Sequence, residues 1–218
     1  MKRKATILLT MAMIASLFSS FRARAATPEQ TFWTWFQKND AALFDFERDQ
    51  EKTFDRLATE MHRINPDLTF EFGPKKDGKR DFVISADGIK SAFPAVEALC
   101  AAAPTMPHWK VIKFRPRRNP MDIEYKGVSV KVSTVRVHMQ VNGGLVDLTV
   151  YIPGYSPDSK AFVAINYLLL DQALGEYDVE TYVGEIRIQA SPHPGEKTVS
   201  LDELPAALDS FVKGRRLQ

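Results

Sequence analysis

Residues 135–152 read Val135-Arg136-Val137-His138-Met139-Gln140-Val141-Asn142-Gly143-Gly144-Leu145-Val146-Asp147-Leu148-Thr149-Val150-Tyr151-Ile152. On each side of the two glycines, apolar and polar residues alternate, the period of a β-strand with one buried face. A two-residue Gly143-Gly144 turn sets Asn142 opposite Leu145. It then brings four apolar pairs together: Val141 with Val146, Met139 with Leu148, Val137 with Val150 and Val135 with Ile152. The opposite face pairs Gln140 with Asp147, His138 with Thr149 and Arg136 with Tyr151. A three-residue loop would set valines against polar side chains, so the two-residue turn is the register expected.

Working outward, a second hairpin precedes this one. Leu68, Phe70 and Phe72 alternate with polar residues, as do Phe82 and Ile84 around Val83. A three-residue loop Lys76-Asp77-Gly78, glycine left-handed, would pair Lys75 with Lys79, Phe72 with Phe82 and Phe70 with Ile84. Each hairpin leads into a helix and then a strand. The first helix spans about 89–102, with Pro94 marking a late start, and its strand runs from Trp109 to Phe114. Neighbouring Val111 and Ile112 on that strand suggest a central position covered on both faces. The second helix runs from about Asp158 to Leu174, is apolar nearly all round and is stopped by Gly175. Its strand is Val183–Gln189. The order hairpin–helix–strand thus occurs at 68–114 and 135–189. The residues of the two units do not align, so the duplication is one of architecture.

Two helices come first. Thr27-Pro28-Glu29-Gln30 has the form of a capping box, with Phe32, Trp33 and Phe36 then sharing a face. A second helix is expected from Asn39-Asp40 to Ile64, ended by Asn65-Pro66. Ser200 and Glu203 form another capping box before a short final helix. The class expected is α+β, a mainly antiparallel sheet with helices packed on it.

Of 218 residues 44% are hydrophobic, one is cysteine, and 29 bases face 27 acids, which excludes a disordered chain, a fibre and a disulfide scaffold. The N-terminus divides the charge unevenly. Lys2, Arg3 and Lys4 precede an uncharged run from Ala5 to Phe21, and Ala23-Arg24-Ala25 supplies a small-x-small pattern. This reads as an export signal cleaved after Ala25, giving a periplasmic or secreted protein with no stable membrane span. Removing the five leader bases leaves 24 bases against 27 acids, a formal net charge of −3. A general attraction to nucleic acid then loses its support. The remainder, 26–218, is expected to be a single α+β domain. Cys100, in a run of small residues, reads as a packing cysteine.

Several segments carry a resemblance: Phe32-Trp33-Thr34-Trp35-Phe36, Pro66 to Gly73, Phe82 to Gly88, Trp109 to Arg118 and Leu174 to Thr181. On these the chain resembles an uncharacterised family of bacterial domains of unknown function. The resemblance implies one domain over most of the mature chain and brings no catalytic residue, activity or ligand with it.

Three polar groups could carry chemistry. Arg115, Arg117 and Arg118, with Lys113 just before them, could clamp a phosphate or carboxylate. Asp171, Glu176, Asp178 and Glu180 form an acidic group. Asp171 sits in the last turn of its helix, where the dipole disfavours an anion, so it needs a cationic partner. The favoured reading is that arginines and acids neutralise one another in a structural network. The third group is the hairpin face with His138, Asp147, Thr149 and Tyr151, where acid–base chemistry could arise, although a polar alternating face is also what a solvated sheet shows. No cofactor, metal motif or catalytic residue is assigned. The leading expectation is a non-catalytic exported domain binding a protein or small anionic ligand through the loop from Arg115 to Asp122. The alternatives are a hydrolase-type enzyme at the His138 face or the arginine–acid cluster, and a structural subunit packing through its aromatic N-terminal helices.

Overall fold

The computed structural model describes residues 25–215. Of the leader read from the sequence, residues 1–25, all but Ala25 lie outside the described residues. The fold is α+β, with three sheets and helices concentrated at the N-terminus and between strands.

Thr27 caps α1 (Pro28–Lys38) as its sequence dictates. Its hydroxyl accepts from Gln30 N–H while the Gln30 side chain returns the bond to Thr27 N–H. The single helix expected over the next 25 residues is instead three pieces: α2 (Asp40–Phe44), a 3₁₀ turn (Phe46–Arg48) and α3 (Gln50–His62). Asp45 and Asp49 leave helical geometry. The break lets Phe46 turn inward beside Phe72, with ring centroids 5.5 Å apart, and lets Glu47 reach Arg80 at 2.5 Å.

The first sheet has the order β1-β2-β3. Strands β1 (Thr69–Phe72) and β2 (Arg80–Ser85) pair antiparallel in the expected register, Phe72 with Phe82 and Phe70 with Ile84. The turn differs. Lys76 bridges Lys79 around Asp77-Gly78, both at positive φ (51° and 71°), a primed two-residue turn. The extra residue is taken up at Pro74-Lys75, where proline cannot donate to the ladder. After β2 come a 3₁₀ turn (Lys90–Ala92) and α4 (Phe93–Ala101), with Pro94 in its first turn. Strand β3 (Trp109–Lys113) then lies parallel to β2. It is therefore an edge strand, not the central one expected: β2 is central, and Lys110 and Lys113 leave β3 exposed where an edge requires charge.

A hairpin not expected from the sequence, β4 (Ile123–Tyr125) and β5 (Val128–Val130), turns at Lys126-Gly127, both with positive φ. The second large sheet has the order β8-β7-β6-β9. All seven pairings of β6 (Arg136–Asn142) with β7 (Leu145–Tyr151) are those read from the sequence. Helices α5 (Lys160–Leu174) and α6 (Glu176–Tyr182) lead to β8 (Val183–Gln189), parallel to β7. Strand β9 (Val199–Ser200) pairs with the start of β6, and α7 (Leu204–Arg215) closes the described chain. Among the described residues no helix is long and apolar enough to cross a membrane.

The hairpin–helix–parallel-strand unit thus occurs twice, and each copy has its own apolar cluster. The N-terminal lobe gathers Phe32, Trp33, Phe36, Phe82, Ile84, Leu99 and Trp109. The C-terminal lobe gathers Val137, Val146, Leu148, Val150, Ile165, Leu169 and Leu208. The aromatics of α1 therefore cover their own sheet. Cys100 is half-buried against the first cluster, and burial pushes its thiol up to about 11.

Candidate functional site

The lobes meet at the arginine segment. Phe114, at the end of β3, has φ +63°, a left-handed conformation costly for a bulky residue. Its N–H donates to Ile84 O at 2.8 Å, and its ring packs 4.4 Å from Phe93 and 5.3 Å from Tyr177. This turn takes Arg115 off the sheet towards the corner between α5 and α6. Gly175 forms that corner at φ +76°, and a Cβ there would stand 3.0 Å from both Arg115 O and Arg117 N. Only glycine fits both the conformation and the approach. The two backbones then bond directly: Glu176 N–H donates to Arg115 O at 3.1 Å, and Arg118 N–H to Gln172 O at 2.7 Å.

Glu176 is 1% exposed. Its Oε1 accepts from the N–H groups of Ala86 (2.9 Å) and Gly88 (3.2 Å), and its Oε2 from Arg115 N–H (3.1 Å). The amides come from the ends of β2 and β3, where Asp87 and Gly88 both take positive φ, so one carboxylate of the C-terminal lobe fills a concavity of N–H donors on the other.

The guanidiniums surround this joint. Arg115 meets Glu71 through Nε at 3.1 Å, Asp171 through Nη1 at 3.1 Å, and Asp87 through Nη2. Burial works against its charge, but Asp87, Asp171 and Glu176 outweigh burial and hold its pKa above the usual arginine value. Arg117 bonds Asp209 at 2.8 Å and Asp178 at 2.5 Å, which likewise raises it, while Asp209 is held below the usual carboxylate range by Arg117. Arg118 has Glu71 as its carboxylate partner. Asp171 goes the other way: burial, together with the charges of Glu176 and Asp87, raises its pKa against the pull of Arg115.

So the expected pairing of arginines with acids is present for Arg115 with Asp171 and for Arg117 with Asp178. Glu176 serves backbone amides rather than a guanidinium. Glu180 forms no ion pair with an arginine among the described residues, and burial, then the charge of Asp171, raises its pKa. Lys113 points elsewhere and meets Glu97 of α4 at 3.1 Å. Glu71, Asp87 and Asp209 were not foreseen, because each stands 28 to 92 residues from its arginine and no local spacing announces it.

Beside the network lies an open cleft of about 310 Å³, lined by Glu71, Asp87, Arg115, Arg118, Leu168 and Asp171, with Pro116 and Gln172 completing it. Arg118 is half exposed on its wall, and Asp87 is more exposed still.

On the second sheet, His138 and Asp147 do not work together. Asp147 Oδ1 accepts from Glu185 N–H (2.9 Å) and its Oδ2 from the Asn142 amide (2.9 Å). The first bond sits at a bulge between β7 and β8, where a Cβ on Gly184 would come within 2.4 Å of Asp147 Oδ1. Asp147 is thus the plug of a β-bulge, and the Glu185 amide holds its pKa low. His138 Nδ1 lies 2.9 Å from Lys197 O and 3.6 Å from Glu196. Glu196 also accepts from the Tyr151 hydroxyl at 2.6 Å; burial, then that bond, pushes the tyrosine up to about 12. Among the described residues no group of three or more His, Cys, Asp or Glu is arranged to hold a metal ion. Compared with protein-family models, with curated proteins and with solved structures, the chain finds no match.

Proposed function

We propose that the chain is a non-catalytic, exported binding module that takes up an anionic group, carried by a protein or a small ligand, at Arg118. One observation carries this reading. Arg118 is the half-exposed guanidinium of the network, it borders the cleft, and its carboxylate partner among the described residues, Glu71, is also bonded to Arg115. An incoming carboxylate can therefore take the Arg118 fork without leaving Glu71 unpaired, which avoids the penalty of an isolated charge.

The surroundings narrow the ligand. Asp87 and Asp171 on the same walls repel polyanions and favour a group that joins one carboxylate to a cationic or hydrogen-bond-donating neighbour. Leu168 and Pro116 offer apolar contact to the stem of such a group. A cleft this open suits a side chain or chain end presented by a larger partner better than a wholly engulfed small molecule. The leader read from the sequence supports the exported setting, and a mature N-terminus at Ala26 in the purified protein would carry that part.

Calorimetric titration with short peptides bearing a free carboxylate tests the site, with inorganic phosphate as the comparison anion. Arg118→Ala should weaken peptide binding about tenfold or more, and Arg118→Lys should restore only part of it. Binding that ignores both substitutions would overturn the proposal.

A further inference from the structure

The exposed face of α5 is unusual for a surface helix. Between Lys160 and Asp171 the helix carries no charged residue. Its buried side is Ala161, Phe162, Ile165, Asn166, Leu169 and Leu170. Its outward stripe is Lys160, Val163, Ala164, Tyr167, Leu168 and Asp171, with Val163 38%, Tyr167 51% and Leu168 45% exposed. A soluble helix normally sets charge on that side, and a contiguous apolar stripe framed by polar ends marks an interaction surface. Met121, 66% exposed, extends the stripe at its C-terminal end, where its N–H donates to the Gln172 side chain at 2.8 Å.

We propose that this stripe is the two-fold contact of a homodimer, with α5 lying antiparallel on the α5 of a second copy. The choice of a second copy follows from the stripe's own symmetry. An isologous contact requires a surface complementary to itself, each residue meeting a suitable partner when the helix is reversed. Reversal about a point between Ile165 and Asn166 sets Lys160 against the partner's Asp171, Val163 against the partner's Leu168, and small Ala164 against the large partner's Tyr167. Opposite charges meet at both ends, and apolar side chains meet between them. Lys160 and Asp171 are eleven residues apart, close to three full turns, so they lie on nearly the same line of the helix. The helix dipoles also oppose one another in this arrangement. Arg115 occupies Oδ2 of Asp171, which leaves Oδ1 for the incoming ammonium. The contact goes beyond the binding reading at Arg118 and shares Leu168 and Asp171 with that cleft, so a second copy and a ligand compete for this wall.

Sedimentation equilibrium of the purified protein up to about 100 µM is the first measurement. A dimer is expected, with Tyr167→Glu weakening it about 30-fold at unchanged circular dichroism. Lys160→Glu, a fully surface change, should weaken it as well, and Lys160→Arg should not. Oxidising a mixture of Val163→Cys and Leu168→Cys proteins should cross-link the two kinds of chain to each other in preference to their own kind. A wild-type monomer across that range overturns the proposal and leaves the stripe to a different protein. A dimer that survives both Tyr167→Glu and Lys160→Glu, or that cross-links only like with like, overturns it too. Peptide titration of the monomeric Tyr167→Glu protein reads the Arg118 site separately, so either idea can fail alone.

Discussion

In the N-terminal lobe, β2 turns Phe82 towards Phe36, 5.0 Å away and stacked, with Trp109 of β3 5.1 Å from the same ring. In the C-terminal lobe, β7 holds the same place in the connectivity but presents Val146, Leu148 and Val150 to the aliphatic faces of α5 and α7. Both units run hairpin, helix, parallel strand. The parallel third strand demands a crossover, and a helix packed on the sheet supplies it. What fills the space beneath is a separate matter. Where α1 and α3 also pack on the sheet, rings span the gap and find partners for their polar atoms, as Trp33 does with Leu99 O and Trp109 with Asp40. Where α5 and α7 lie across the strands, branched aliphatics close the layer. Connectivity constrains the alternation of residues, not their identity, which is why the two units share a plan while their residues do not align.

The largest expected effect breaks the link between the lobes. All three tryptophans lie in the N-terminal lobe, so fluorescence follows that lobe while far-ultraviolet circular dichroism follows both. Glu176→Ala leaves three inward N–H groups without an acceptor and should cost about 4 kcal/mol. In denaturant the two probes should coincide for the wild type and separate for the variant; coincident transitions in the variant would show that the joint does not couple the lobes.

Next come changes confined to one lobe. Arg80 is fully buried, lies 4.4 Å from the Phe46 ring centre, and bonds Glu47 and Gly73 O. Arg80→Ala should cost about 3 kcal/mol through lost packing and a lost cation–π contact, seen first in fluorescence. In the other lobe, Gly184→Ala forces Asp147 out of its bulge and should cost about 2 kcal/mol. Its mark should be faster amide exchange at Glu185, with the tryptophans unaffected.

The smallest effect concerns pH. The folded-state pKa of Glu180 is raised above its unfolded value, so at neutral pH its ionised form opposes folding. That opposition fades as pH falls through the raised value and is gone below about 4.5. Glu180→Gln should therefore raise the melting temperature at pH 7 and lose that advantage towards pH 4. A gain that persists in acid would point to packing instead.

How far these features could be read from the chain varied with the range of the interaction. The 135–152 hairpin was fully legible because turn length and side-chain alternation agree independently. The first hairpin yielded its register but not its turn, since Pro74 absorbs a residue that looks like loop. Strand β3 looked central because Val111 and Ile112 are adjacent, although the run Phe82-Val83-Ile84 was the better mark of a central strand. The β4–β5 hairpin had a readable sign in Lys126-Gly127 between alternating residues. The arginine segment was found as a group, and two of its partners with it. Glu71, Asp87 and Asp209 were not: the strand order of the first sheet brings Glu71 and Asp87 to the segment and the packing of α7 brings Asp209, and neither leaves a local mark in the sequence.

The Glu176 joint also divides heritable risk unequally between the lobes. Its three donors are main-chain amides, which side-chain replacement at Ala86, Gly88 or Arg115 does not delete, although proline would. Its acceptor is one side chain. Across many generations the N-terminal half of the joint can thus keep its donors through side-chain changes, within the limits set by the positive φ of Gly88 and the ion pairs of Arg115, while the C-terminal half is tied to a single glutamate codon and the glycine before it.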